Sequence, residues 1–545
     1  MMRRELIMRK QWITGIALML LCAMLLSACG GPIAPAGGTT AAQTTAPASA
    51  GTGSASGSGQ SGTQTEAAPP DDQDAGLDPV TLHFYFYDGK KEQTDNVWAA
   101  IGDAFKEELN VTFDVQFIAG TDYKDKMLVK FAAGDKWDLN YDADWVSFLH
   151  MIGRDAYMEL DDIMPLYAPD LWARYQELGT LSSAMNKGKV VGMPWTLIKT
   201  TRPTFAYRGD LADTAGISID PATVNTIEAV DEVLFAMREA YPDRKILRIA
   251  LDEVWHAKYE INPVSNQGNF VFDLNDPECK VMPFEQHEAY REMAKYAKKW
   301  QDADIIWKDV LIDQTNFNTM VNQGLLITNW GTHESKYTKK NFAEEGAFLN
   351  AEIMYPENLS INRTPIANVT AIPVTSENPE RTLMFLNLLE TSQELYDMVH
   401  YGIPDVTYVL NDAGEVSYPG DMTSSNSNYM DFGGRWALWK PQFMRPDAVY
   451  PPGYWVESAN FCLEVEANIF SPIEGFVFDV EPVSTEVSQR NQIFDDANKL
   501  VTAGLAGDAD QAIDKMIEDL RNAHLDVIQA ELQRQLDEYM ANKGN

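Results

Sequence analysis

The sequence predicts an α/β protein with a mainly parallel sheet and more than one hydrophobic core. Apolar and polar residues alternate strictly over 80–87 and again over 111–117, and between them Val97, Ile101 and Phe105 recur at helical spacing, a β-α-β order. In such sheets ligands collect in the loops beyond the strand C-termini. The chain has 545 residues, well past the roughly 250–300 at which a single core stops growing, so at least two lobes or domains are expected.

The elements follow in chain order. Arg3, Arg4, Arg9 and Lys10 precede an apolar run from Trp12 to Leu26, which has the form of a secretory signal and is shorter than the ~20 residues a spanning helix needs. The run closes as Leu26-Ser27-Ala28-Cys29-Gly30. This resembles a bacterial lipobox, which implies that residues 1–28 are removed and that Cys29 carries a lipid anchor. Residues 29–78 are dominated by Gly, Ala, Ser, Thr, Gln and Pro without a single aromatic, so they cannot build a core and read as a disordered tether with a span of roughly 40 Å.

Strand one is expected over Val80–Tyr87 and strand two over Val111–Phe117. Tyr123, Met127, Leu128 and Phe131 predict a helix closed by Gly134, followed by a short strand at Trp137–Tyr141. Tyr290, Met293, Ala297 and Trp300 mark a further helix, and Asn378-Pro379 reads as the N-cap and first residue of another. Three helices are expected at 485–503, 508–524 and 526–540, whereas 398–480 is irregular and aromatic.

Charge and composition exclude several function classes. Lys and Arg number 43 against 80 Asp and Glu, a net charge of −37, so nucleic acid is not an expected partner. Four Cys and seven His argue against a disulfide scaffold and a His-rich metal protein. Cys279 and Cys462 are expected not to be joined. Asp138, Asn140, Asp142 and Asp144 are spaced like calcium ligands, but Ala143 stands where the loop needs Gly and Leu149 where it needs Glu, so no metal or other cofactor is expected. No nucleophile elbow, phosphate loop or HExxH site is present.

Several passages, in one order, resemble the extracellular solute-binding lipoproteins of carbohydrate-type ABC importers, in the Gram-positive complex-polysaccharide branch. They are Tyr123-Lys124-Asp125-Lys126-Met127 with Phe131-Ala132-Ala133-Gly134-Asp135, then Asp138-Leu139-Asn140-Tyr141 with Trp145. Gly188 to Pro194, Tyr207-Arg208-Gly209-Asp210-Leu211, Asn378-Pro379-Glu380-Arg381 and Tyr401-Gly402-Ile403 follow. Gly475-Phe476-Val477-Phe478-Asp479 and the helical tail resemble the extra C-terminal region of that branch.

The resemblance implies two α/β lobes of the periplasmic-binding-protein type, a hinge between them and a helical C-terminal extension. Lobe one would hold 79–200 and 365–398, and lobe two 201–364 and 399–545. It also implies a monomer on the outer face of the cell membrane, attached only by its lipid, that captures an oligosaccharide and passes it to ABC permease subunits without catalysis. A glycan-sensing or adhesion lipoprotein without an importer is the alternative, and a secreted glycosidase a more distant one, since its two carboxylates must stand ~5–9 Å apart.

Sugar binding needs aromatic faces for C–H surfaces and rigid polar groups for hydroxyls. Trp98 and Trp300 fall on apolar helix faces and read as core. Trp145, in the strand-end loop Asp142-Ala143-Asp144-Trp145, is expected in the cleft with Tyr141, Asp142 and Asp144. Trp195, Asn329 with Trp330, and Trp436 with Trp439 are further candidates, each open to cleft or core. One expectation is an aromatic clamp of Trp145 from lobe one and Trp330 from lobe two. The Arg208–Asp210 pair is open to ligand contact or to a structural ion pair.

Overall fold

The computed structural model describes residues 77–264, 267–315, 317–331, 337–338, 346–447 and 450–543. The signal, Cys29 and nearly all of the tether lie outside the described residues.

Strand β1 (Val80–Tyr87) buries Leu82, Phe84 and Phe86 completely, as the alternation requires. They pack on Val97, Trp98 and Ile101 of α1 (Thr94–Ala104). Strand β2 (Val111–Ile118) pairs parallel to β1. Helix α2 (Gly120–Ala133) stops at Gly134, whose φ of 69° is the left-handed conformation that a C-terminal glycine supplies without strain. Strand β3 (Leu139–Asp142) then adds to the other edge of β1, again parallel.

The chain leaves this sheet through β4 (Met193–Pro194) and enters a second one at β5 (Thr204–Arg208). After α3 (Asp252–Tyr259) and β6 (Ile261–Val264), the second sheet receives β7 (Thr328–Gly331) and β8 (Leu349–Ile353) on either side of β5. Past β9 (Ser360–Ile361), the chain returns to the first sheet at β10 (Val369–Ala371), between β3 and β4. The first sheet is therefore parallel over β2-β1-β3, with β10 antiparallel to both of its neighbours.

The second sheet departs from the expected parallel order, since both neighbours of β5 run antiparallel to it. The outgoing strand β5 and the returning strand β8 are adjacent, so they must point opposite ways. The same reason makes β10 antiparallel in the first sheet.

Two large cores correspond to the two sheets. Helix α4 (Glu288–Asp302), which carries Trp300, and the C-terminal helices α5 (Ser484–Thr502), α6 (Ala509–Asn522) and α7 (Leu525–Lys543) bury Trp300, Phe494, Ile513, Leu520, Ile528 and Leu536 in the second core, together with Trp255. Tyr429, Phe432, Ala437 and Leu438, expected with the second lobe, are instead buried in the first core. The reason is a close backbone approach: a Cβ on Gly433 would stand 2.1 Å from the Tyr87 carbonyl oxygen at the end of β1. A helix at Tyr454–Glu464 and a strand at Asn468–Ile469, paired parallel to β9, then carry the chain back to the second core.

Cys279 and Cys462 are buried thiols in separate clusters and are not bridged.

Candidate ligand-binding site

A cavity of about 1260 Å³ lies where the chain passes between the two cores, lined by residues within 199–203, 359–364 and 471–477. Its size suits several sugar rings. The first core contributes the loop after β3, and the second contributes α3 and β6.

The loop after β3 is built by Asp142. Its carboxylate accepts the backbone N–H groups of Ala143 (2.8 Å) and Ser147 (3.0 Å), the Ser147 hydroxyl (3.1 Å) and the Tyr157 hydroxyl (2.5 Å). Burial pushes its pKa up to about 6, while these same hydrogen bonds pull it down. Asp142 is 1 % exposed and absent from the lining, so the structure makes it the organiser of the 143–147 turn and not a ligand contact.

Asp144 and Trp145, carried by that turn, do line the cavity. Trp145 is 48 % exposed, yet its orientation is fixed by the Nε1–H donating to the Ala367 carbonyl (2.9 Å) and by an edge contact with Tyr87 (ring centroids 5.3 Å apart). Desolvation raises the pKa of Asp144, and Arg363 works in the opposite direction.

The remaining candidates divide. Trp439 lines the cavity beside Trp455, with the Lys199 ammonium 5.7 Å from the first ring and 4.9 Å from the second. Trp195 is 2 % exposed and stacks behind Trp439 as packing. Tyr141 is buried with its hydroxyl on Asn368 (3.0 Å), and Trp436 is half-buried against Tyr87 and Tyr141, outside the lining.

Trp330 packs on Phe205 in the second core and donates its Nε1–H to the Ile249 carbonyl (3.0 Å), and Asn329 is buried beside it. Neither lines the cavity. The expected pairing of Trp145 with Trp330 across the cavity is therefore not formed; Trp145, Trp439 and Trp455 are the tryptophans in its lining. Residues 329 and 330 lie within β7, where the pleat aims a side chain at the core as readily as at the cleft.

Arg208 and Asp210 form a two-pronged ion pair (2.7 and 2.6 Å) with Arg208 buried, which is a structural role. Asp138 is turned away from Asp142, accepting from the Ser376 hydroxyl (2.8 Å) and the Asn378 N–H (3.2 Å). Among the described residues no group of three or more His, Cys, Asp or Glu is placed to hold a metal.

Several lining residues escaped the sequence reading. Tyr450 and Trp455 lie in the stretch seen only as irregular and aromatic; Lys199 and Asn362 lie in the linking segments, and His256 is one of seven scattered histidines. Arg435 and Arg445, also in the wall, are paired with Asp431 (2.5 Å) and Asp397 (2.6 Å).

Comparison with known proteins adds the following. A family described as bacterial extracellular solute-binding protein matches residues 100–417, and a domain of unknown function, DUF3502, matches 472–541. A carbohydrate ABC transporter substrate-binding protein of Streptococcus pneumoniae is 24% identical over 486 residues, covering 86% of this chain and 93% of that protein. The crystal structure of the N-glycan transport solute binding protein from Streptococcus pneumoniae superposes with a TM-score of 0.67 at 22% identity, covering 86% of this chain and 100% of the other. Its complex with Man5GlcNAc gives 0.54 at 22% identity, covering 85% and 99%.

Proposed function

We propose that this chain, which belongs to the bacterial extracellular solute-binding proteins, captures an oligosaccharide outside the cell and delivers it to an ABC permease, with no covalent chemistry of its own. The observation that carries the reading is the cavity between the two cores, whose wall combines exposed aromatic faces with carboxylates and amides. Such a wall suits the apolar and hydroxylated surfaces of a sugar. The likeness to an N-glycan transport protein makes a mannose-bearing glycan the first ligand to try. Lobe one would then span about 79–200 and 365–453, and lobe two about 204–354 and 472–543, closing about the segments that join them.

Calorimetric titration against a panel of neutral oligosaccharides that includes Man5GlcNAc tests the reading. Trp145→Ala should weaken binding of the best ligand by about 1–3 kcal/mol, the range for losing a large apolar contact. The unliganded melting temperature should hardly change, because the ring is half exposed. Wild-type affinity in this variant would remove Trp145 from the site.

The lipid anchor at Cys29 belongs to the same proposal, supported by the lipobox-like run and the tether that follows. Cys29→Ser should shift the protein from membranes to the soluble fraction, and retention after a high-salt wash would count against anchoring at this residue.

A further inference from the structure

The second-lobe wall of the cavity contains two buried polar atoms that nothing in the protein satisfies. His256 on α3 is 7 % exposed and its Nε2 makes no hydrogen bond, although the residue lines the cavity. Asn362, just past β9, is 2 % exposed and also lines the cavity. Its amide nitrogen donates to the Cys462 carbonyl (2.8 Å), while its Oδ1 has no partner.

The two residues sit in one built structure. Asn358 donates to the carbonyls of Ala257 (3.1 Å) and Lys258 (3.0 Å), and the Leu359 N–H donates to Glu260 (2.8 Å). These bonds hold the returning segment against the end of α3.

A buried polar group left unmade costs about 1–3 kcal/mol, and a ligand that completes it recovers that cost. Such sites reject analogues that lack the matching group far more strongly than apolar pockets reject a missing methylene. We propose that His256 and Asn362 form a subsite that reads hydroxyl groups of the bound saccharide; this rests on the oligosaccharide reading above.

Chemistry selects a hydroxyl over the alternatives. Asn362 Oδ1 only accepts, so the ligand must donate to it. Burial pushes the pKa of His256 down to about 4, so the ring is neutral and its Nε2 donates or accepts according to tautomer. A hydroxyl does both. The Asp252 carboxylate, one turn before His256 on α3, acts on the ring by pulling its pKa upward against burial, and a negative charge so close disfavours an anionic group there.

Titration of Man5GlcNAc into wild type, His256→Leu and His256→Gln tests the subsite. The Leu variant should bind at least about tenfold more weakly, the loss of roughly one hydrogen bond to a buried group. Its unliganded melting temperature should be unchanged or higher, since Nε2 bonds to nothing in the protein. Gln should restore most of the affinity, because its amide nitrogen can take the place of Nε2. In wild type labelled with 15N-histidine, saturating ligand should also move the Nε2 resonance of His256, a readout that needs no variant to fold. A Leu variant as tight as wild type, or an unmoved resonance in protein that binds the glycan, overturns the subsite alone. A wild type that binds no member of the panel overturns the oligosaccharide reading and the subsite with it.

Discussion

Glu285→Leu is expected to lower the unfolding free energy by about 3–5 kcal/mol, the cost of stranding a buried charge by removing its partner. The stranded charge is Arg490, which extends from α5 in the C-terminal helices and meets Glu285 just ahead of the helix that carries Trp300. Both side chains are sealed from solvent, at 1 % and 0 % exposure, and Nη2 of Arg490 reaches the two carboxylate oxygens at 3.0 and 3.3 Å and the Asn269 carbonyl at 3.1 Å. Its Nε and Nη1 have no hydrogen-bond partner, and the guanidinium lies between the rings of Phe270 and Phe494, 4.9 and 4.8 Å from their centroids.

Burial raises the pKa of Glu285 and lowers that of Arg490, in each case against the pull of the partner. Desolvation thus outweighs attraction on both sides. The pair itself adds little net stability, whereas half of it is costly. The double variant Glu285→Leu, Arg490→Met should therefore return to within ~1 kcal/mol of wild type, or exceed it, because the Phe270–Phe494 slot accepts an apolar chain. Urea unfolding of the four proteins of this cycle measures both quantities. A double variant no more stable than Glu285→Leu would refute the account.

Where side-chain period and punctuation act locally, the sequence was legible. The 80–87 alternation, Gly134 and the Asn378-Pro379 start became strand, helix end and helix start as expected. The second sheet was not legible in the same way, because the direction of β5 against β8 follows from the route of the chain between cores and leaves no local pattern.

The site shows the same division. Trp145 could be read because it follows a strand end in a turn rich in Asp, and such a turn has to be exposed. Trp330 and Trp195 also follow short apolar runs yet face inward, since a single aromatic residue carries no periodicity to say which way it points. His256 was invisible for the complementary reason: in a short helix of mixed residues, nothing separates a histidine in the cleft from one in the core. Residues 429–438 were assigned to the wrong core because their docking depends on the bare backbone at Gly433 pressing on Tyr87, a tertiary fact with no counterpart in hydropathy.

Arg202→Met should cost a further 3 kcal/mol or so of stability and, unlike the loss of Glu285, should also weaken ligand binding. Arg202 is fully buried and bonds to no carboxylate. Its guanidinium donates to Asn468 Oδ1 (2.6 Å) and to the carbonyls of Tyr355 (2.6 Å), Asn358 (2.5 Å) and Ala467 (3.1 Å). Burial pushes its pKa down to about 10, so it stays charged at neutral pH and its charge is spread over neutral acceptors.

Those acceptors belong to the two other segments that pass between the cores, and Arg202 itself belongs to the first. One planar group therefore gathers all three linkers at their second-core ends, immediately beside the cavity lining of 199–203 and 359–364. A Met leaves Asn468 Oδ1 and the Asn358 carbonyl unpaired, while the Tyr355 and Ala467 carbonyls keep only the N–H groups of Asn358 and Ser360, and it lets the linkers move independently, so a ligand must order them as it binds. Arg202→Lys keeps the charge but offers one compact ammonium in place of a fork, and cannot span the acceptors on both segments. It should resemble Met more than wild type. Urea unfolding and glycan titration of both variants give the result, and a Lys variant with wild-type stability and affinity would show that charge, not the three-way clasp, is what position 202 supplies.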